Sequence, residues 1–132
     1  MAKKVTKSKT KKVSKKKVQK GMAMIQATFN NTIITLTDEE GNVLMQGGPS
    51  LLGFKGARRS TAFAATRAAQ DVAEKVIKKF GLKEVKVFLK GPGAGRNAAV
   101  KGLDSAGLRI TYLADKTPIP HNGCMPRKPA RN

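Results

Sequence analysis

The order of hydrophobic periodicities along this chain predicts an α/β fold: a mixed five-stranded sheet with helices packed on it. Three short period-two runs come first and predict an antiparallel meander. A stripe at helical spacing, a strand, a short helix and a last strand follow, and strand-helix-strand connections imply parallel pairing. Flanking this body at 21–114 are a tail at 1–20 and an arm at 115–132, neither with a hydrophobic period.

In the first half, Ala23, Ile25, Ala27 and Phe29 alternate with Met24, Gln26 and Thr28. Ile34 and Leu36 then alternate with Ile33, Thr35 and Thr37. Between these runs Asn30-Asn31 tolerate the positive φ of a tight hairpin. Asp38-Glu39-Glu40-Gly41-Asn42 reads as a second turn, and 43–46 as a third strand. A loop of glycines and cations follows, through Gly53-Phe54-Lys55-Gly56-Ala57-Arg58-Arg59.

Ser60 or Thr61 caps the next helix, near 60–80. Its apolar stripe is Ala65, Ala69, Val72, Ala73, Val76, Ile77 and Phe80, and its small alanines suit close packing on a sheet. Asp71 with Lys75 and Glu74 with Lys78 make favourable i,i+4 pairs on the other face, and Gly81 is a C-terminal stop. A strand at 84–90 exposes Val85, Val87 and Leu89 on one side. Gly91-Pro92-Gly93-Ala94-Gly95 breaks it, a short helix runs over 96–106, and Leu108, Ile110 and Tyr112 form the last strand. From Asp115 the chain is an extended, proline-rich arm.

Charge sets the function class. The chain carries 27 Lys+Arg against 8 Asp+Glu, a formal +19. Ten lysines lie in the first twenty residues, among them Lys3, Lys4, Lys11, Lys12, Lys15, Lys16, Lys17 and Lys20, with no acid between them. Such a segment has too little to bury to offset the entropy of ordering, so alone it is expected to be disordered. Its self-repulsion calls for a polyanion, and nucleic acid rewards each neutralised phosphate with a released counterion. The remaining 17 basic and 8 acidic residues leave the rest at +9, so body and tail are both basic.

Other classes fit poorly. Cys124 is the single cysteine, which points to a reducing compartment rather than a disulfide framework. No apolar run approaches the roughly 20 residues that cross a bilayer, and no lipid anchor accompanies the lysines, so no membrane partner is expected. His121 and Cys124 lack the further ligands that zinc requires, so no metal or cofactor is expected. The carboxylates are scattered, so no two-metal or acid–base centre assembles. These features indicate a non-enzyme.

Among the body cations, Lys55, Arg58, Arg59, Arg67, Lys90 and Arg96 are the candidate phosphate contacts. The glycines at 53 and 56 allow close approach, and arginine forks match phosphate oxygens in pairs. Phe54 either stacks on a base or pins the loop. Gly91, Gly93 and Gly95 precede a helix N-terminus, which favours phosphate; the competing reading is an ordinary tight turn. The sequence lacks the spacing of a dinucleotide fingerprint or a Walker loop. Arg96 in the first helical turn opposes the helix dipole and calls for an anion nearby.

At Thr117-Pro118-Ile119-Pro120-His121-Asn122-Gly123-Cys124 the chain resembles the family of the eleventh small-subunit ribosomal protein, in its bacterial or organellar form. Phe29-Asn30-Asn31-Thr32, Gly53-Phe54-Lys55-Gly56 and Lys90-Gly91-Pro92-Gly93-Ala94-Gly95-Arg96 carry the same resemblance, in order, over about 21–128. The resemblance implies a ribonuclease H-like sheet without the catalytic carboxylates of that fold. It implies a structural, non-enzymatic role on the small-subunit platform, binding small-subunit rRNA near the exit of the mRNA channel and the cleft for upstream mRNA. It implies ribosomal proteins seven, eighteen and twenty-one of the bacterial scheme as neighbours rather than a homo-oligomer, on a cytoplasmic or organellar ribosome. Asn30, Asn31, Lys116, Pro118, Pro120, His121, Asn122, Arg127, Lys128 and Arg131 join the expected rRNA contacts. Asn122 before Gly123 is the expected isoaspartate position.

Two departures from the family pattern stand out. The C-terminus, Met125-Pro126-Arg127-Lys128-Pro129-Ala130-Arg131-Asn132, lacks a dense basic run, and Gln46-Gly47-Gly48-Pro49-Ser50 replaces the usual Trp-Ser-Ser-Ala-Gly. The rival readings are a general DNA-compacting protein and an RNA-processing nuclease.

Overall fold

The computed structural model describes residues 17–130. Strands β1 (Lys20–Ala27), β2 (Thr32–Asp38), β3 (Val43–Gly47), β4 (Glu84–Lys90) and β5 (Arg109–Asp115) form one sheet in the order β3-β2-β1-β4-β5. The β1–β2 and β2–β3 pairs are antiparallel, and the β1–β4 and β4–β5 pairs are parallel. Helix α1 (Ala62–Phe80) connects β3 to β4, and α2 (Gly95–Ser105) connects β4 to β5. The expected mixed α/β sheet, a meander followed by strand-helix-strand-helix-strand, is the observed one.

Alternation decides which face is covered. Ala23, Ile25, Ile34, Leu36, Val85, Val87 and Leu89 point to one side and share a core with Ala65, Ala69, Val72 and Val76 of α1 and Ala99 and Leu103 of α2. Thr61 caps α1 by accepting from the Ala64 amide, and Gly81 ends it at φ 70°, in the left-handed region. Gly102 lets the two helices close up, because a Cβ there would stand 2.7 Å from the Thr66 carbonyl oxygen and 2.8 Å from the Ala69 Cβ. The opposite face of the sheet carries no helix among the described residues. Met22, Met24 and Phe88 are half-buried on it, and Gln26, Lys86 and Tyr112 are exposed.

Several expectations need correction. Asn30-Asn31 do not adopt positive φ; Asn122 is the described non-glycine residue that does. The hairpin is closed by Thr28 instead, whose hydroxyl accepts from the amides of Asn30 and Asn31 at 3.3 and 3.0 Å. Phe29, expected within the strand alternation, lies in this turn and is 76% exposed. Tyr112 was expected on the face of Leu108 and Ile110. A bulge at Thr111 shifts the β4–β5 register, so Ile110 pairs with Val85 but Tyr112 pairs with Lys86, on the open face.

The tail also ends sooner than position 20. Val18 is buried and donates its amide to the Phe80 carbonyl at 2.8 Å, and the Gln19 carbonyl accepts from Lys83 and Glu84. The glycine-rich loop after β3 is built from two 3₁₀ turns, Pro49–Leu52 and Gly56–Ser60. Asp71 and Lys75 pair at 3.0 Å, whereas Glu74 and Lys78 form no ion pair among the described residues.

Candidate nucleic-acid interface

Strand direction gathers the candidate residues. β1, β3, β4 and β5 all run the same way, since β2 is antiparallel to both its neighbours. Their C-terminal ends therefore share one end of the sheet, the end where ligands of α/β sheets generally bind. The segments leaving those ends are the Thr28–Asn31 turn, the cationic loop into α1, the glycine loop into α2 and the C-terminal arm. Asn30, Asn31, Lys55, Arg58, Arg59, Lys90, Arg96 and Lys116 are thereby brought to one end, although they span most of the chain.

Among the described residues, the cationic loop is held without engaging its charges on acids. Arg59 Nε donates to the Gly56 carbonyl at 3.3 Å, and the Arg58 carbonyl accepts from the Thr61 hydroxyl at 2.8 Å. Lys55, Arg58 and Arg67 are exposed, and Arg59 is half-buried. The first turn of α1 holds no acidic residue, and Arg58 and Arg59 lie in the 3₁₀ turn that leads into it, so cations rather than carboxylates precede the positive end of the helix dipole. That arrangement is unfavourable alone and favourable around an anion. Phe54 packs edge-on against Phe63, with centroids 6.1 Å apart, so it pins the loop to α1; the outward ring is Phe63, at 66% exposed.

The glycine loop has a different explanation from the one its composition suggests. A Cβ at Gly91 would run into the Ala27 carbonyl, one at Gly93 into the Thr28 carbonyl, and one at Gly95 into Thr32. The Gly93 amide donates to Ala27 at 3.0 Å, and the Gly91 amide to the Thr117 hydroxyl at 3.1 Å. Close packing on the β1–β2 hairpin accounts for these glycines. The anion beside Arg96 is Asp115, Nη2 to Oδ2 at 2.6 Å. Thr117 completes this junction, donating its amide and hydroxyl to Asp115 Oδ1 at 2.9 and 2.5 Å. Those two bonds and Arg96 lower the Asp115 pKa to about 2.

Among the described residues beyond this junction the arm has no helix or strand, and Pro118, Pro120, His121, Asn122, Arg127 and Lys128 are exposed. Asn122 sits at φ 58°. Lys17 and Lys20 lie at the opposite end of the sheet, lining a depression with Asp38, Glu39 and Glu40. The tail is therefore rooted away from the cationic end. Lys3, Lys4, Lys11, Lys12, Lys15, Lys16 and Arg131 fall outside the described residues.

One cluster escaped sequence reasoning. On the open face Phe88 and Tyr112 have ring centroids 6.0 Å apart, and Lys116 Nζ lies 4.4 Å from the centre of the Phe88 ring. The Lys86-Val87-Phe88-Leu89-Lys90 alternation was the available signal, and the bulge that brings Tyr112 beside it left none.

Among the described residues, no three His, Cys, Asp or Glu side chains are grouped to hold a metal. The Asp38 carboxylate accepts from the Glu40 and Asn42 amides at 3.0 and 2.9 Å, which makes it a turn-forming group.

Comparison with known proteins agrees with this architecture. The family profile described as Ribosomal protein S11 matches residues 21–131. The Small ribosomal subunit protein uS11 of Protochlamydia amoebophila (strain UWE25) is 55% identical over 123 residues, 93% of this chain and 90% of that protein. The protein of the same name from Colwellia psychrerythraea (strain 34H / ATCC BAA-681) is 55% identical over 122 residues, 92% of this chain and 94% of its own length. The chain belongs to the ribosomal protein S11 family, and is a ribosomal protein of the small subunit rather than an enzyme.

Proposed function

We propose that this chain is a structural constituent of the small-subunit platform that binds small-subunit rRNA through the cationic end of its sheet. The observation that carries this reading is the run of cations Lys55, Arg58 and Arg59 leading into α1, with no acid in the helix's first turn. A polyanion with regularly spaced phosphates balances that charge, and the Gly56–Ser60 turn fixes the backbone of Arg58 and Arg59 before binding.

Lys90, Lys116 and the arm through Pro118, Pro120, His121, Asn122, Arg127 and Lys128 extend the same surface. The prolines limit the entropy lost when the arm lies down in an RNA groove. Arg96 contributes chiefly by holding the root of the arm through Asp115. The tail lysines add affinity without reading sequence. In this reading the protein lies near the mRNA exit and the cleft for upstream mRNA, beside proteins seven, eighteen and twenty-one of the bacterial scheme. The two bacterial relatives favour a cytoplasmic ribosome.

The test is reconstitution. The full chain is added to protein-depleted small-subunit rRNA and sedimented at moderate and then high salt. Co-migration with the RNA and protection of a defined rRNA region are expected. Equal affinity for duplex DNA of the same length would overturn the reading in favour of general nucleic-acid compaction.

A further inference from the structure

The helix-free face of the sheet is where the structure goes beyond phosphate binding by loops. Tyr112 is 54% exposed, directly across from Lys86 in the β4–β5 ladder, with Phe88 tilted against it at 59°. Lys116 lies over the Phe88 ring, and Lys90 is two residues further along the same face. Lys86, Lys90 and Lys116 are exposed and hold no ion pair among the described residues. A shallow groove of about 140 Å³, lined by Met24, Gln26, Ile33, Gln46, Phe88 and Lys90 among others, runs beside the Phe88 ring. The acids bordering this face, Glu39 and Glu84, share a depression with Lys20 and Lys86, so Lys86 sits toward the acidic end of the face and Lys90 toward the other.

A surface with an exposed tyrosine ring, a half-buried phenylalanine ring, and Lys90 and Lys116 away from the acids suits an occupant that is aromatic and anionic at once. Unpaired nucleotides have that chemistry: bases stack on exposed rings of a sheet, and the phosphates between them meet the cations. A protein segment would match the groove, but it would leave Lys90 and Lys116 without counter-charge unless it were acidic.

We infer that the open face around Tyr112 and Phe88 binds a single-stranded stretch of RNA by base stacking, as a subsite separate from the cationic end. This inference rests on the RNA-binding reading above but makes its own demand, since it requires bases rather than phosphates alone. The bulge at Thr111 is the local cause, because without it Tyr112 would turn toward the helices.

The experiment uses the full chain and two decamers of equal charge, one of uridine and one abasic, at moderate salt, read by fluorescence anisotropy. The uridine decamer is expected to bind several-fold more tightly than the abasic one. Tyr112→Ala should remove most of that several-fold difference, and Tyr112→Phe should retain it. Binding of folded small-subunit rRNA by Tyr112→Ala should change little, which separates failure of this subsite from failure of the proposed function. Equal binding of the two decamers, or no effect of Tyr112→Ala, overturns the inference. A photo-crosslinking residue placed at 112 in assembled small subunits gives the in-place answer. Crosslinks to RNA support the subsite, and crosslinks to protein overturn it.

Discussion

Arg96 donates from Nη2 to Asp115 Oδ2 at 2.6 Å, joining the first turn of α2 to the last residue of β5. The pair works as a clasp. It settles a cation placed against the helix dipole, and it holds the point at which the arm leaves the body. The Thr117 hydroxyl, which also accepts from the Gly91 amide, ties the same point to the end of β4.

Acid should loosen the arm. The Thr117 hydroxyl and amide, and then Arg96, lower the Asp115 carboxyl from its ordinary 3.8 to about 2. A carboxylate whose folded pKa is depressed contributes fully above its unfolded value and loses that contribution as pH falls through the folded one. The clasp should therefore be intact from neutral pH to about pH 4 and open progressively toward pH 2. Amide NMR signals of Thr117 and Gly91 should shift with a midpoint near the lower value and stay flat from about pH 5 to 8. In Asp115→Asn that transition should vanish. A midpoint at the ordinary carboxylate value would show that Thr117 and Arg96 do not hold Asp115 in solution.

Gly102→Ala sets two effects against each other. In a helix interior the change normally stabilises by about 1 kcal/mol. Here the added methyl would stand 2.7 Å from the backbone oxygen of Thr66, a neighbour that cannot swing aside. Overpacking of this kind costs about 1–3 kcal/mol, so the net effect should be destabilising. Urea denaturation of the purified chain measures it, and a raised midpoint would mean that α1 and α2 are less closely packed than described.

How much of this was readable in the sequence follows from the kind of signal each part leaves. β4 alternates cleanly, and its bounds at 84–90 were read correctly because burial on one face imposes period two. The stripe of α1 from Ala65 to Phe80, with a cap and a glycine stop, was equally plain. The bulge that turns Tyr112 outward leaves no local mark, since it depends on the register with β4. Phe29 continued an alternation that Thr28 had already ended by hydrogen bonding to the Asn30 and Asn31 amides. The glycines at 91, 93 and 95 looked like a phosphate cradle because composition reports that a backbone must approach something closely. It does not report that the something is the carbonyls of Ala27 and Thr28.

Within the cationic end, Arg58 and Arg59 should matter more than their number. Changing both to Ala leaves the Thr61 cap in place, so the fold should hold while rRNA affinity falls. The slope of log affinity against log salt should become shallower by about two units if each arginine neutralises one phosphate. Replacing Lys3, Lys4 and Lys7 by Gln should cost less affinity in a filter-binding assay. The reverse order would place the main grip in the tail.

Truncation should separate the tail's charge from its role in the body. Val18 is buried in the core, its amide bonds to Phe80, and Gln19 links to Lys83 and Glu84. Removing residues 1–16 should therefore leave stability unchanged, flatten the salt dependence of rRNA binding and preserve site preference. Removing residues 1–20 should in addition lower stability by about 1–3 kcal/mol, from the lost burial of one valine and the lost hydrogen bonds. Thermal melts of the two truncated chains beside the full chain make the comparison. If both melt alike, the contacts of Val18 and Gln19 add nothing to the body in solution. If the shorter truncation keeps the full salt dependence, the lysines before position 17 do not reach RNA.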